Sequence, residues 1–314
     1  MKKEEFYYPS ADGKTRIHGM AWLPECEPVG VIQIAHGVTE YIGRYEAFAE
    51  YFTDRGFVVA GNDHLGHGES VAEGAEPMYF GPEGSWHWAV KDIRTCRRLM
   101  GKRYPKLPYC MLGFSLGSFL VRTYLIDYSG TVDGVILAGT GQIPHSQIAF
   151  AKMIAKREVG KVGEDHTSPL IKKLTFGSYN KMFAPNRTDY DWLCASEQSL
   201  DAYIADSRRG ENYSAGLFRE LLSGMDYSVN MKNIRKMKKE TPVYFISGDK
   251  DPVGDCGKGV RRACQAFQKA GCRDVELKLY PGLRHDILHE DCHEKIQEDI
   301  YQWLQRWVKA GVNR

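Results

Sequence analysis

The chain has 314 residues, 43% of them hydrophobic and 26% charged, which is the composition of a folded globular protein and excludes a disordered or fibrous one. Its 42 basic and 40 acidic residues leave a net charge of +2, so nothing electrostatic points to a nucleic-acid partner. No run approaches the ~20 consecutive apolar residues of a membrane span.

Met1–Phe6 leads directly into a strand-like stretch without an apolar signal segment, so the expected location is cytoplasmic. The 8 cysteines form no C-x-x-C pair and several sit in apolar runs, which fits free thiols. Thr15–Trp22 alternates, and Val29–Ala35 and Phe57–Ala60 are short apolar runs. Between the last two, Tyr45, Phe48, Ala49 and Phe52 form a helical stripe stopped by Gly56. Tyr109–Leu112 is another run, followed by the stripe Leu116, Phe119, Leu120 and Tyr124. Val135–Leu137, Val243–Ile246 and Val275–Tyr280 complete the runs. The last helix carries Ile296, Ile300, Trp303, Leu304, Trp307 and Val308 at a spacing that makes both tryptophans core residues. Apolar runs between amphipathic helices predict an α/β fold with a doubly wound, mostly parallel sheet and helices on both faces.

The alternation breaks across 142–238. Ile148, Ala151 and Ile154, then Ile171 and Leu174, then Leu217, Leu221 and Leu222 have helical spacing with no buried strand between them. The predicted organisation is a core of 1–141 and 239–314 interrupted by a helical cap over 142–238. The cap would roof the C-terminal strand ends, where such sheets bind ligands. The basic stretch Lys232–Lys239 is expected to be a solvated connector.

Chemistry enters at Gly113-Phe114-Ser115-Leu116-Gly117, directly after an apolar run. A strand–turn–helix of the form G-x-S-x-G lifts a serine hydroxyl out of the backbone, with glycines where a Cβ would clash. Such a serine needs an imidazole to take its proton and a carboxylate to orient the imidazole, in chain order Ser, acid, His. Asp249 and Asp251 both follow one later strand and His285 follows the next; spacing leaves the choice of acid open. The backbone N–H of Leu116 is one candidate oxyanion donor. The turn His36-Gly37-Val38 after the first parallel strand can aim another.

His36-Gly37 with Glu40 and Arg44-Tyr45, the string Asp63-His64-Leu65-Gly66-His67-Gly68-Glu69-Ser70, the Gly113–Gly117 elbow, Ser247–Asp251 and His285–His289 together resemble the monoacylglycerol lipase and lysophospholipase branch of the α/β-hydrolases. The resemblance covers the chain outside 142–238. It implies an eight-stranded sheet and Ser115, Asp251 and His285 as nucleophile, acid and base. It also implies oxyanion donors at Val38 and Leu116, with His64 and His67 stabilising a turn. The implied reaction is hydrolysis of a small-molecule acyl-glycerol or lysophospholipid-type ester through an acyl-enzyme, without cofactor or metal. Thr39, Tyr41 and Phe114 depart from the residues common in that branch, and they bear on substrate rather than on the triad.

For substrate contact the candidates are His36, Thr39 and Phe114 in the core and Phe150 and Phe183 in the cap. Phe176, Tyr179 and Trp192 are further cap aromatics able to line an acyl pocket. An amidase or aminopeptidase on the same fold is the alternative enzyme. It would need cap acids such as Glu164, Asp165, Asp189, Asp191 or Glu197 to hold an ammonium group. A non-catalytic binding protein of this fold is the alternative outside catalysis. His289-Glu290-Asp291-Cys292-His293 matches the zinc pattern H-E-x-x-H, but only the terminal helix follows it, so no metal site is expected.

Overall fold

In a computed structural model that describes residues 1–311, eight strands form one sheet. They are β1 (Lys2–Pro9), β2 (Arg16–Leu23), β3 (Gly30–Ala35), β4 (Phe57–Asn62), β5 (Tyr109–Phe114), β6 (Gly134–Ala138), β7 (Val243–Gly248) and β8 (Val275–Tyr280). Their order is β1-β2-β4-β3-β5-β6-β7-β8. β1 pairs antiparallel with β2, and β2 with β4; every other neighbouring pair is parallel. This is the expected mostly parallel sheet.

Helices cover both faces. On one lie α1 (Glu46–Thr53) and α11 (His293–Gly311), whose Phe48, Phe52, Ile300 and Trp303 pack on Ile32, Val59, Leu112 and Ile246. On the other lie α2 (Trp86–Arg103), α3 (Leu116–Asp127) and α10 (Lys258–Lys269), whose Ile93, Leu120 and Phe267 pack on Val31, Met111 and Phe245. Successive strand residues point to opposite faces, so β3 to β7 are buried along their whole length. β8 is buried only at its last residue, because it is an edge strand; here the expectation of a run buried on both faces fails. Trp303 is in the core as predicted, whereas the side chains of Trp307 and Val308 lie outside the described residues.

Between β6 and β7 the chain is helical: α4 (His145–Val162), α5 (Pro169–Leu174), α6 (Phe176–Asn180), α7 (Glu197–Ala205), α8 (Ala215–Val229) and α9 (Met231–Ile234). Both ends of this insertion meet the buried side chain of Arg122. Its guanidinium donates to the Gly141 carbonyl at 2.8 Å and to the Ser228 carbonyl at 3.3 Å. All eight cysteines are free, but Cys26 and Cys292 are exposed rather than buried. No helix among the described residues is long and apolar enough to cross a membrane.

The parallel register aligns the C-terminal strand ends. Ala35 lies beside Gly113, Phe114 beside Ala138, Ile246 beside Ala138 and Gly248 beside Tyr280. The loops leaving β3, β5, β7 and β8 therefore emerge on one rim and bring residues from distant parts of the sequence together.

Candidate active site

Ser115 sits between β5 and α3 with φ 51° and ψ −117°, a left-handed conformation that a non-glycine residue adopts only at a cost of ~1–3 kcal/mol. Two glycines make it possible. A Cβ on Gly113 would lie 2.6 Å from the Gly117 carbonyl oxygen, and a Cβ on Gly117 would be driven into the Ala35 carbonyl. The turn is held by the Ser115 N–H donating to Ala138 at 3.0 Å and by the Ser118 hydroxyl donating to the Ser115 carbonyl at 2.6 Å.

The Ser115 hydroxyl is 2.8 Å from His285 Nε2, and His285 Nδ1 is 2.9 Å from Asp251 Oδ1. With Nδ1–H donating to the carboxylate, Nε2 is left as the acceptor for the serine proton. Asp251 is fixed in turn by the Val253 N–H on Oδ1 at 2.9 Å and the Ser247 hydroxyl on Oδ2 at 3.1 Å. Of the two acids left open by spacing, Asp251 reaches the imidazole. The Asp249 carboxylate instead accepts from the Gly282 N–H at 2.8 Å, tying the β7 and β8 loops together. Burial disfavours a charged His285. The carboxylate of Asp251, with those of Asp286 and Glu40 beyond it, outweighs burial and raises its pKa. The imidazole is held between the rings of Phe114, at 5.0 Å, and Trp192, at 5.3 Å. Gly139 lies close beneath it, leaving a Cβ only 3.0 Å from His285 Cε1.

Beside the serine, the Val38 and Leu116 N–H groups have no protein acceptor among the described residues, and both residues line the same cavity as Ser115. The turn carrying Val38 is pinned from behind. Glu40 accepts from the Gly37 N–H and from the Tyr45 hydroxyl at 2.8 Å, and pairs with Arg44. Arg44 also meets Asp286 at 3.2 Å, and Asp286 meets His289 at 2.8 Å. Asp286 is fully buried, which favours its neutral form. His289, Arg44 and His285 overcome this and hold its carboxyl well below the usual range.

The cavity next to Ser115 has a volume of about 280 Å³ and an apolar wall. The insertion supplies Ala151, Ile154, Leu174, Phe176, Tyr179 and Trp192 to it, with Leu221, Leu222 and Met225 from α8. Of the expected cap aromatics, Phe176, Tyr179 and Trp192 are there. Phe150 is not: it is 61% exposed on the outer side of α4. Phe183 is not either: its half-buried ring lies 4.3 Å from the Arg284 guanidinium, away from the cavity. Ala151, Ile154, Leu174, Leu221 and Leu222, which helical spacing marks as packing positions, are cavity wall instead.

His36 also moves out of the substrate candidates. It is fully buried, donates through Nδ1 to the Gly37 carbonyl at 2.7 Å and accepts the His64 N–H on Nε2 at 3.0 Å. Burial pushes the pKa of His36 and His64 far down, and that of His67 to about 4, so this cluster is a neutral turn scaffold. Thr39 and Phe114 do border the serine, in a narrow space of about 20 Å³ shared with Tyr190, Trp192 and Tyr203. The Thr39 hydroxyl meets that of Tyr203 at 2.8 Å. Tyr203 carried no sequence signal, since its partner is 164 residues away.

The H-E-x-x-H residues do not share a helix. His289 ends a short 3₁₀ turn and contacts Asp286, while the Glu290 carboxylate caps the Ala195 and Ser196 N–H groups at 2.9 and 3.1 Å. Only His293 belongs to α11, and its Nδ1 donates to the Glu290 carbonyl at 2.9 Å.

The family model described as serine aminopeptidase, S33, matches residues 26–292. A monoacylglycerol lipase of Mycolicibacterium smegmatis is 28% identical over 282 residues, 88% of this chain and 89% of that one. The human monoglyceride lipase is 27% identical over 274 residues, 86% of this chain and 79% of that one. Among solved structures, a thermostable carboxyl esterase of Bacillus coagulans, in complex with glycerol, superposes with a TM-score of 0.90 at 26% identity. That match covers 98% of this chain and 99% of the other.

Proposed function

The chain belongs to the serine aminopeptidase S33 family, an α/β-hydrolase family, and from that premise we propose that it is a serine hydrolase of carboxylic esters, with acyl-glycerol or lysophospholipid-type substrates. The observation that carries the reading is the unbroken relay from Ser115 through His285 to Asp251, opening on an apolar cavity.

In this reading His285 Nε2 takes the Ser115 proton as Oγ attacks the ester carbonyl. The Val38 and Leu116 N–H groups receive the developing oxyanion; a donor of this kind typically lowers the barrier by ~3–4 kcal/mol. The imidazolium, held by Asp251, returns the proton to the departing alcohol, leaving an acyl group on Ser115. Water then enters and gives its proton to His285 as it attacks the acyl carbonyl, and His285 returns that proton to Ser115 Oγ as the carbon–Oγ bond breaks and the acid leaves. The helices between β6 and β7 act as a cap: they supply most of the acyl wall and, through Trp192, one side of the base.

Ser115→Ala should remain folded and lose both hydrolysis of p-nitrophenyl and monoacylglycerol esters and labelling by a fluorophosphonate. Near-normal hydrolysis by that variant would reject the assignment. Failure of the native protein to label would favour a non-catalytic binding role.

The family's description favours one second reading, aminopeptidase activity. An aminopeptidase needs a free carboxylate facing the serine. Glu164 is engaged by Arg219 and Tyr79, Asp165 by His166, and Asp191 by Thr188 and the Arg187 N–H. Neither they nor Asp189 and Glu197 border the cavity. Comparing an aminoacyl p-nitroanilide with a p-nitrophenyl ester separates the two, and the ester is expected to be the better substrate.

A further inference from the structure

Positive charge is distributed unevenly along this chain. Residues 91–106 and 232–239 together hold twelve lysines and arginines and one acid, a net charge of +11 in a chain whose total is +2, so the remainder is −9. The single acid, Asp92, is buried and engaged elsewhere, accepting from the Ser10 hydroxyl and the Ala11 N–H, each at 2.7 Å. Of the twelve cations only Arg103 has an ion-pair partner among the described residues, Glu4. Lys91, Arg94 and Arg98 follow one another at three- and four-residue spacing on α2. Like charges on neighbouring turns destabilise a helix unless an anion offsets them.

The fold brings the two segments together. Arg94, Arg97 and Arg98 of α2 and Lys238 of the connector returning from the insertion line one cavity of about 400 Å³, with residues 130–133 between α3 and β6. The connector is more than solvated here, since the Lys238 N–H donates to the Ser129 hydroxyl. Two of the guanidiniums are held in place. Arg94 lies 4.2 Å from the centroid of the Tyr128 ring, and Arg97 lies 4.0 Å from that of Tyr109. Arg97 Nε also donates to the Thr131 carbonyl at 2.9 Å, and Gly101 leaves space for its Nη1, which a Cβ there would overlap. Stacking on a ring uses the face of a guanidinium and leaves in-plane N–H groups for an anion. The one carboxylate in the cavity, that of Asp133, already accepts from the Tyr109 N–H at 2.8 Å. Tyr109 and Asp133 stand at the N-terminal ends of β5 and β6, whereas Ser115 follows the C-terminal end of β5, roughly 17 Å away along the strand.

We propose that this cavity binds a compact oligophosphate, free or carried by a nucleotide, at a site separate from the ester-hydrolase centre. Guanidinium forks match phosphate oxygens two at a time, and Lys238 adds a mobile point charge. Four cations gathered on one concave site match the roughly three to four negative charges that two or three linked phosphates carry at pH 7. A single phosphate leaves half of that charge uncompensated. A nucleic acid is the poorer occupant, because its phosphates are spread along an extended backbone while these four cations converge on one cavity. The site stands on charge and geometry at the far end of the sheet and does not depend on what Ser115 attacks.

The test is isothermal titration calorimetry of the full chain with sodium tripolyphosphate in about 50 mM salt, where the Debye length exceeds about 10 Å. One equivalent should bind, at least ~10-fold more tightly than inorganic phosphate and at least ~10-fold more tightly than in 1 M salt. A parallel titration with ATP separates the two sources: tighter binding than tripolyphosphate assigns a nucleotide, and equal or weaker binding assigns the oligophosphate alone. Two variants remove charge from the cavity, Arg94→Gln with Arg98→Gln, and Lys238→Glu. Each should weaken tripolyphosphate binding at least ~10-fold, while the melting temperature without ligand and the hydrolysis of p-nitrophenyl acetate stay at the native level. Lys172→Glu with Lys173→Glu changes exposed cations outside the cavity and should bind as the native protein does. No saturable binding by the native protein, native-like binding by both cavity variants, or an equal loss in the Lys172 and Lys173 control would each overturn the proposal. So would a single-stranded oligonucleotide that binds more than ~10-fold tighter than ATP, since that assigns the surface to a nucleic acid. Binding is read without turnover, so it can fail or succeed independently of the proposed chemistry.

Discussion

The surroundings of Asp251 make Asp251→Asn a sharper test of the relay than removal of the side chain. Oδ1 accepts from both His285 Nδ1 and the Val253 N–H, while Oδ2 accepts from the Ser247 hydroxyl. An asparagine has one orientation that fits. Its carbonyl oxygen must take the Oδ1 position, because the amide –NH₂ there would face two donors. The –NH₂ then meets the Ser247 hydroxyl, which can accept it. His285 therefore keeps its proton on Nδ1 and its acceptor at Nε2, and only the negative charge is lost. At roughly 4 Å between charge centres and an effective dielectric near 20, that charge stabilises the imidazolium by ~4 kcal/mol, or about 10³ in rate. The same substitution removes the chief influence raising the His285 pKa and leaves burial unopposed by Asp251. Since His285 acts as a base when neutral, the acid limb of the pH–rate profile should move to lower pH even as the plateau falls. The assay is kcat/KM for a p-nitrophenyl ester across pH 5 to 9 for both proteins. A loss below tenfold, or an acid limb that stays in place or moves up, would refute this account of how Asp251 acts.

Three other substitutions probe the frame around the relay. Gly117→Ala must displace the β3 carbonyl at Ala35, so it should cost at least ~1–3 kcal/mol in denaturant unfolding and abolish ester hydrolysis. Asp286 has a depressed pKa, so it contributes stability above its unfolded value of 3.8 that is lost as pH falls through the folded value. The stability gap between the native protein and Asp286→Asn, measured by urea unfolding, should therefore narrow as pH falls below about 4; a gap independent of pH would contradict this. Glu290→Ala strands the Ala195 and Ser196 N–H groups and should cost ~1–3 kcal/mol. EDTA should leave hydrolysis by the native enzyme unchanged, and a loss of activity on chelation would restore the zinc reading of His289 to His293.

The elements that carry the relay were legible in sequence because each is announced locally. The elbow glycines at 113 and 117 are required by backbone contacts within one strand–turn–helix, and the parallel register carries the loops holding Asp251 and His285 to the same rim. The choice between Asp249 and Asp251 was not legible from spacing, because it depends on which carboxylate the β8 loop engages. That loop's Gly282 N–H takes Asp249, and its His285 takes Asp251. The zinc-like pentapeptide misleads for a related reason, since a short 3₁₀ turn separates residues that the motif needs on a single helix.

The insertion is the least legible part of the chain, and α4 shows why. Phe150 is a large aromatic of a kind suited to an acyl pocket, yet the period of its own helix argues against it. Ile148 and Ala155 are fully buried, Ala151 and Ile154 face the cavity, and Phe150 falls outside that stripe at 61% exposure. Residue type proposes what a side chain could contact, whereas helical phase decides which way it points. Helical phase could not separate packing from pocket wall, because Ala151, Leu174 and Leu221 satisfy the same apolar pattern whether they meet another helix or open space. What distinguishes the two is the distance between α4, α8 and α3, a tertiary quantity that no local pattern encodes.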